Sequence, residues 1–452
     1  MSELRTITRH ALTVLAGQLA TMAYGVTDTL VAGRYSEASL AAFSIGSAIY
    51  ISVFIGLMGV LQALLPIWAE LHGAKDHAWL GHSFRQSFYL WLVLSVAGIA
   101  ILLAPGPLMD WAEVPKALRS EVGNYLRVLA LALPLALLLR LYATLNQSLG
   151  HPRLVTWLQL GSIALKAPLS IWLALGDGWG LGLGSVGCAW ATFIAQAVLV
   201  LIALWLLATQ GLYKPYRLWR RPDRSDWPDW PALKAFLRLG IPSGVSVLVE
   251  VTSFTLMALF VARLGVTASA AHQIAANLAG VLYMAPLSIG IAGSARASYW
   301  LGAGQPAQAR HAVRASMALT TVCSILTAGA LALFRHQVAA FYAPGAEAAT
   351  LAATLLACVA GYHLFDAQQC VSIFLLRCWR ITVAPMLIYG VLLWGLGLYG
   401  GYLLAYEGLN FQGLGMLPAM QSPAAFWLGG GAALALAALA FHAMLWRTTP
   451  RP

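Results

Sequence analysis

GLYKPYRLWRRPDRSDWPDWPALKAF, residues 211–236, is the longest polar connection in an otherwise apolar chain, and the fold follows from how it divides that chain. Pro222, Pro228 and Pro231 cannot sit inside a regular helix without removing hydrogen bonds, so the stretch reads as a surface crossover. Before it lie six apolar segments, approximately 9–32, 44–69, 84–104, 122–146, 154–175 and 185–208. After it lie six more, approximately 238–263, 270–296, 311–333, 350–376, 381–404 and 425–446. Each has about the 20 residues a helix needs to cross a ~30 Å hydrocarbon core. In lipid, only helices and closed barrels satisfy their own backbone. The expected fold is an all-α polytopic membrane protein, with twelve transmembrane helices in two pseudo-symmetric six-helix bundles. Its parts are an N-terminal bundle at 1–208, a cytoplasmic linker at 209–237 and a C-terminal bundle at 238–452.

Composition agrees with that reading. The 452 residues are 60% hydrophobic and 10% charged, with a mean hydropathy of +0.75; a soluble domain carries about 25% charge. The first span, which holds Gln18 and Asp28, is the weakest by composition. It has span length and no small-residue cleavage site after it, so a cleaved signal peptide is not expected. The net charge of +11 would suit a nucleic acid, but its distribution serves topology instead. With the N-terminus placed in the cytoplasm, eighteen of the 27 Lys and Arg fall on the cytoplasmic side. Seven of those lie in or just after the central connection: Lys214, Arg217, Arg220, Arg221, Arg224, Lys234 and Arg238. Five cations fall outside (Arg34, Lys116, Arg119, Arg263, Arg335) and four within spans (Arg127, Arg140, Lys166, Arg296). This is the positive-inside bias; it places both termini in the cytoplasm and calls for no nucleic acid partner.

The halves resemble each other weakly. At an offset of 229, residues 34–90 align without gaps on 263–319, and twelve of 57 positions are identical, among them Gly73/Gly302, His82/His311 and Arg85/Arg314. A six-span repeat has both ends on one side of the membrane. The halves are therefore expected to be parallel, related by an axis along the membrane normal.

Three carboxylates stand where charge is expensive. Glu250 lies in SVLVEVTSFTLM (246–257), near the middle of the seventh span, and Asp366 in GYHLFDAQQCV (361–371), near the middle of the tenth. Asp28, in AYGVTDTLVAG (23–33), lies towards the outer end of the first. A charge at mid-membrane costs roughly 2.5–3.5 kcal/mol on insertion scales and marks a candidate functional site. Glu250 and Asp366 fall at similar depth in one half, and two readings stand. They are structural carboxylates, protonated or paired with Arg296 or Arg377, or they form a site that takes up a proton or a metal cation. Tyr283, and Tyr362 one turn before Asp366, would add ring faces or hydroxyls. In the other half, Lys166 in SIALKAPLSIW (162–172) lies just before Pro168, which frees a helical carbonyl. Unpaired buried charges are costly, so Lys166 and Asp28 are expected to meet, either as a static salt bridge or as part of an ion site.

Little else carries chemistry. Cys188, Cys323, Cys358, Cys370 and Cys378 lie inside or at the ends of spans without CxxC spacing, and read as packing residues. His72, His82, His311 and His336 fall near span ends; His363, within the tenth span, reads as packed, with titration the lesser alternative. The 17 Trp and 16 Tyr suit interfacial belts first and a drug-binding wall second. IPSGV (241–245) lacks the Gly-x-Ser-x-Gly frame of a serine hydrolase. No phosphate loop ends in Gly-Lys-Ser/Thr, and no nucleophile–base pair or metal-spaced histidines appear. Neither an enzyme nor a cofactor is expected.

Six segments in order resemble one family: GVTDTLVAGRYS (25–36), VEVTSFTLMALFVARLG (249–265), AAHQIAAN (270–277), PLSIGIAGSARASYWLGAG (286–304), YHLFDAQQ (362–369) and LLRCWRITVAPM (375–386). They resemble the multidrug and toxic compound extrusion (MATE) transporters, in their NorM-like branch. The resemblance covers essentially the whole chain. It implies two six-helix bundles forming a V around a central cavity, and an antiporter expelling amphipathic, often cationic compounds in exchange for Na⁺ or H⁺. By motif it carries Glu250 and Asp366 to the acidic positions of a C-terminal cation site, which binds metal only if Na⁺ is the coupling ion. Tyr283 and Tyr362 match aromatic positions beside them, and Asp28 matches the acid of the N-terminal bundle. Three positions depart from the family. Thr13 stands where a proline is usual, and the repeat offset pairs it with Pro242; Cys378 stands where a glycine is usual. Lys166 stands where relatives have an asparagine that joins Asp28, Ser170 and Thr192 in an N-terminal cation site. An ammonium there would supply its own cation to Asp28 and disfavour sodium.

The expected function is multidrug efflux antiport by a monomer in the inner membrane. Its partners would be drug-like small molecules and membrane lipids, with no cofactor and with H⁺ or Na⁺ as coupling ion. The rival is a flippase for lipid-linked precursors or polysaccharide. A flippase would call for a more basic cavity, whereas acids predominate at the matched positions.

Overall fold

The computed structural model describes residues 3–111, 114–176, 180–219, 227–343, 345–411 and 415–448. Arg220, Arg221, Pro222 and Arg224 of the central connection lie outside the described residues. The helices of the first half are α1 (Glu3–Tyr35), α2 (Glu37–Gln62), α3 (Leu65–Gly73), α4 (His77–Leu103), the short α5 (Gly106–Trp111), α6 (Lys116–Ser148), α7 (Pro152–Ala174) and α8 (Gly184–Thr209). After the connection come α9 (Trp230–Ala262), α10 (Val266–Gly302), α11 (Pro306–Tyr342), α12 (Ala346–Leu376), α13 (Val383–Tyr389), α14 (Gly401–Tyr406) and α15 (Ala424–Thr448). Between α13 and α14 the chain keeps turning as a π-helix, Gly390–Gly400.

Among the described residues, eleven helical segments are long and apolar enough to cross a membrane, one short of the twelve expected. The difference is α1. Its 33 residues give it the length, but Gln18, Thr21, Thr27 and Asp28 lower its apolarity. A two-stranded antiparallel ribbon, Leu409–Phe411 on Gly415–Leu417, is a small addition between α14 and α15. Burial runs opposite to that of a soluble protein. Large apolar side chains such as Leu201, Leu326 and Leu333 point outward, where lipid would receive them, while Gln86, Asn146, Ser170 and Gln369 are fully enclosed. Buried polar groups need partners: the Trp68 indole donates to Ser83 Oγ at 2.9 Å, and Tyr213 OH donates to Asn146 Oδ1 at 2.7 Å.

The chain divides into two units. The N-terminal unit holds residues 16–244 with 301–304; the C-terminal unit holds 1–15, 245–300 and 305–452. Both boundaries near the halves' first helices fall inside the helix. α1 belongs to the C-terminal unit up to Leu15 and to the N-terminal unit thereafter. α9 belongs to the N-terminal unit up to Gly244 and to the C-terminal unit from Val245.

Each of these helix beginnings is fastened by polar bonds. At the start of α1, Glu3 accepts from Arg296 of α10, Nε at 2.7 Å and Nη2 at 2.9 Å, and from Trp300 Nε1 at 3.2 Å. Just before α9, Asp229 accepts from the Ala232 N–H at 3.4 Å and shares a bond with His82 Nε2 of α4 at 3.1 Å. Gln86 brackets the same turn, accepting from the Asp229 N–H and donating to the Trp227 carbonyl, each at 2.9 Å. Further along α9, glycines let two backbones meet. A Cβ on Gly240 would stand 2.6 Å from Val60 Cγ1, and one on Gly244 2.7 Å from the Gly56 carbonyl oxygen, so the Gly-x-x-x-Gly spacing is what allows α9 to close on α2.

The π-helix meets its neighbour in a similar way. Gly397 turns towards α15, where a Cβ on it would lie 3.5 Å from Gly430 Cα and Ala433 Cβ. α15 then approaches closely: a Cβ on Gly429 would lie 2.9 Å from the Gly397 carbonyl oxygen. π-turns are uncommon and collect at functional sites.

Candidate functional site

In the N-terminal unit the two lone charges meet. Lys166 Nζ of α7 donates to Asp28 Oδ2 of α1 at 2.6 Å, and Ser170 Oγ donates to Asp28 Oδ1 at 2.9 Å. Asp28 is 4% exposed and Lys166 3%, so the pair is sealed from its surroundings. The ammonium also lies 4.5 Å from the centre of the Tyr24 ring. Helical spacing accounts for the cluster, since 24 and 28 on α1, and 166 and 170 on α7, are four residues apart on one face each. Thr192 takes another partner: its hydroxyl donates to the Cys188 carbonyl of its own helix at 3.0 Å.

In the C-terminal unit, Glu250 of α9 is half-buried and Asp366 of α12 is buried. Tyr283 OH of α10 reaches Glu250 Oε2 at 3.5 Å, a long bond, and Gln369 Nε2 donates to Asp366 Oδ1 at 2.9 Å. The charges of Asp366 and of Arg377 both act on Glu250. Of the arginines considered as structural partners, Arg296 holds Glu3, while the Arg377 guanidinium lies over the Phe374 ring at 4.5 Å with its charge still felt at Glu250.

Glu250 also lines a small, partly open pocket. Its walls are Ser253, Phe254 and Met257 of α9, Tyr362 of α12, Leu393, Gly397 and Leu398 of the π-helix, and Phe426 and Gly430 of α15. Phe254, Tyr362 and Trp427 meet edge to face, with ring centres 5.3–6.1 Å apart. The π-helix and α15 keep this space open by lacking side chains, for a Cβ on Gly430 would come within 3.3 Å of Tyr362 Cε2. A carboxylate beside ring faces is suited to attracting a positive charge.

Some participants escape a reading of the sequence. Gln369 lies three residues after Asp366 and Phe254 four after Glu250, so helical spacing was a signal for both. Trp427 and the π-helix wall come from elements remote in sequence, and no local pattern points to them. His363 is packed, sharing a 2.9 Å bond with Thr327 Oγ1. Among the described residues no three His, Cys, Asp or Glu side chains gather as a metal centre would need. Away from the spans, burial opposes the charge of Glu3, but Arg296 and Trp300, with His311 nearby, more than offset it and hold its carboxyl below the usual range.

Long apolar helices in two units, each enclosing charged residues, are the build of a polytopic membrane protein and suit a transporter. The comparisons with known proteins agree. The MatE family model matches residues 14–172 and 242–403, and the chain belongs to that family. A probable multidrug resistance protein NorM of Aromatoleum aromaticum is 38% identical over 451 residues, 98% of this chain and 94% of its own. Multidrug resistance protein MdtK of Yersinia pseudotuberculosis is 31% identical over 430 residues, 94% of this chain and 92% of its own. The crystal structure of the eukaryotic MATE transporter AtDTX14 has the same fold, with a TM-score of 0.86 at 20% identity, covering 99% of this chain and 96% of that one.

Proposed function

We propose that this chain exports amphipathic, often cationic small molecules from the cytoplasm across the inner membrane, in exchange for H⁺ or Na⁺, with both termini in the cytoplasm. The observation that carries this reading is the C-terminal pocket, where the Glu250 carboxylate is joined by the rings of Phe254 and Tyr362, with Asp366 one turn further along α12. The names of the relatives, multidrug resistance proteins, support it.

The mechanism follows from charge. Two neighbouring carboxylates among membrane helices repel each other, so Glu250 and Asp366 together gain from holding a cation or a proton beyond what the nearby Arg377 charge supplies to Glu250. A proton, Na⁺ and the positive end of a substrate then compete for the same negative charge. Loading one expels the other, and exchange follows from the differential affinity of each conformation for its occupant. Apolar and aromatic walls admit varied bodies, which gives broad selectivity.

The test is dye movement by purified protein in liposomes, with a pH gradient and a Na⁺ gradient imposed separately. Wild type is expected to move dye under at least one of them. Glu250→Gln should slow that movement by about tenfold or more, equivalent to ~1.4 kcal/mol of lost coupling. An unchanged rate for Glu250→Gln would sink the assignment of the ion to this residue. No dye movement under either gradient would count against drug antiport and return the flippase reading.

A further inference from the structure

The ion pair in the N-terminal unit has a chemistry that the export reading leaves unused. Both oxygens of Asp28 are engaged, one by the Lys166 ammonium at 2.6 Å and the other by the Ser170 hydroxyl at 2.9 Å. The titratable groups that feel the Asp28 charge are Tyr24 on α1, Tyr125 on α6 and Cys188 on α8, and none of these three brings a second positive charge. A carboxylate enclosed among membrane helices must hold a cation or a proton. Here the chain supplies the cation itself.

We propose that Lys166 is a tethered monovalent cation that stands in for an exchangeable ion at Asp28. The N-terminal unit then keeps its carboxylate neutralised throughout, and exchangeable ions bind only at Glu250 and Asp366. The surroundings of the ammonium support a stand-in ion over a plain lock between helices. The Asp28 Oδ2 oxygen at 2.6 Å and the ring face of Tyr24 at 4.5 Å surround the ammonium as they would a compact point charge, while Ser170 satisfies the other carboxylate oxygen. Lysine provides such a charge on a flexible stem, which the planar fork of arginine would not. The division of labour rests on the antiport reading; the occupancy of Asp28 does not.

The test uses purified full-length protein in a Glu250→Gln, Asp366→Asn background, with Na⁺ and pH as the only probes. With Lys166 in place, Tm is expected to be the same in NaCl and in choline chloride. The infrared spectrum should show no protonated-carboxyl band assignable to Asp28 near neutral pH. Adding Lys166→Asn opens the site. It should then gain a Na⁺-dependent rise in Tm, marking sodium, or a protonated-carboxyl band that disappears with Asp28→Asn, marking a proton. A folded Lys166→Asn protein with neither signal would make Lys166 a helix lock and overturn the proposal. So would a Na⁺ shift or an Asp28 carboxyl band while Lys166 is present, a result that does not depend on whether Lys166→Asn folds. None of these readouts involves transport, so a failure of dye movement in liposomes bears on the export reading alone.

Discussion

Asp366 gives one oxygen to the Gln369 amide at 2.9 Å, and both side chains are buried. A hydrogen bond to a charged group is worth about 1.5–3 kcal/mol, and deleting the donor leaves the carboxylate short of a partner. Gln369→Leu keeps the volume and removes that bond, so ion-driven dye transport should fall about tenfold to hundredfold. Initial rates in liposomes check it; a wild-type rate would reduce Gln369 to packing. At this scale the sequence was legible wherever charge was out of place. Asp28 and Lys166, expected to meet because unpaired buried charges are costly, do so at 2.6 Å. Neutral partners were harder to see. A glutamine or a phenylalanine in an apolar helix has many uses, and Gln369 and Phe254 acquire theirs only from the carboxylate one turn away.

Among the elements, α1 offers the clearest test of electrostatics. Its first turn is held to α10 through Glu3, whose carboxyl sits below the usual range because Arg296 and Trp300 outweigh the burial that opposes its charge. A depressed folded value means that the stabilising contribution is complete above the unfolded carboxylate value, ~4.3. It is lost as pH falls through the lower folded value. Melts of wild type and Glu3→Gln should therefore differ at neutral pH, by about 1–3 kcal/mol, and converge in acid. A gap that persists unchanged in acid would show that the carboxylate charge is not what holds the turn. Elements were legible as far as apolar length defines them. The π-helix was not, because GVLLWGLGLYG reads by hydropathy as an ordinary span. Its contact with α15 runs through Gly397, a tertiary fact.

At the scale of the whole molecule, the polar stretch 211–236 separated the chain into halves, and the weak repeat predicted two alike. What neither could reveal is that the halves and the units are not the same division. The first half of the sequence carries residues 1–15 of the C-terminal unit, and the second half carries the stretch up to Gly244 of the N-terminal unit. Hydropathy cannot show this, because it scores each segment without regard to its neighbours. The exchange makes a prediction for a gene cut in two within 220–226. Each fragment made alone lacks a helix end that its own unit needs, and should be degraded or aggregate in the membrane. Made together, the two fragments should rescue each other and co-purify, with dye transport restored. A fragment that is stable on its own would contradict it. The two halves are then reciprocal templates, each completing the other's fold.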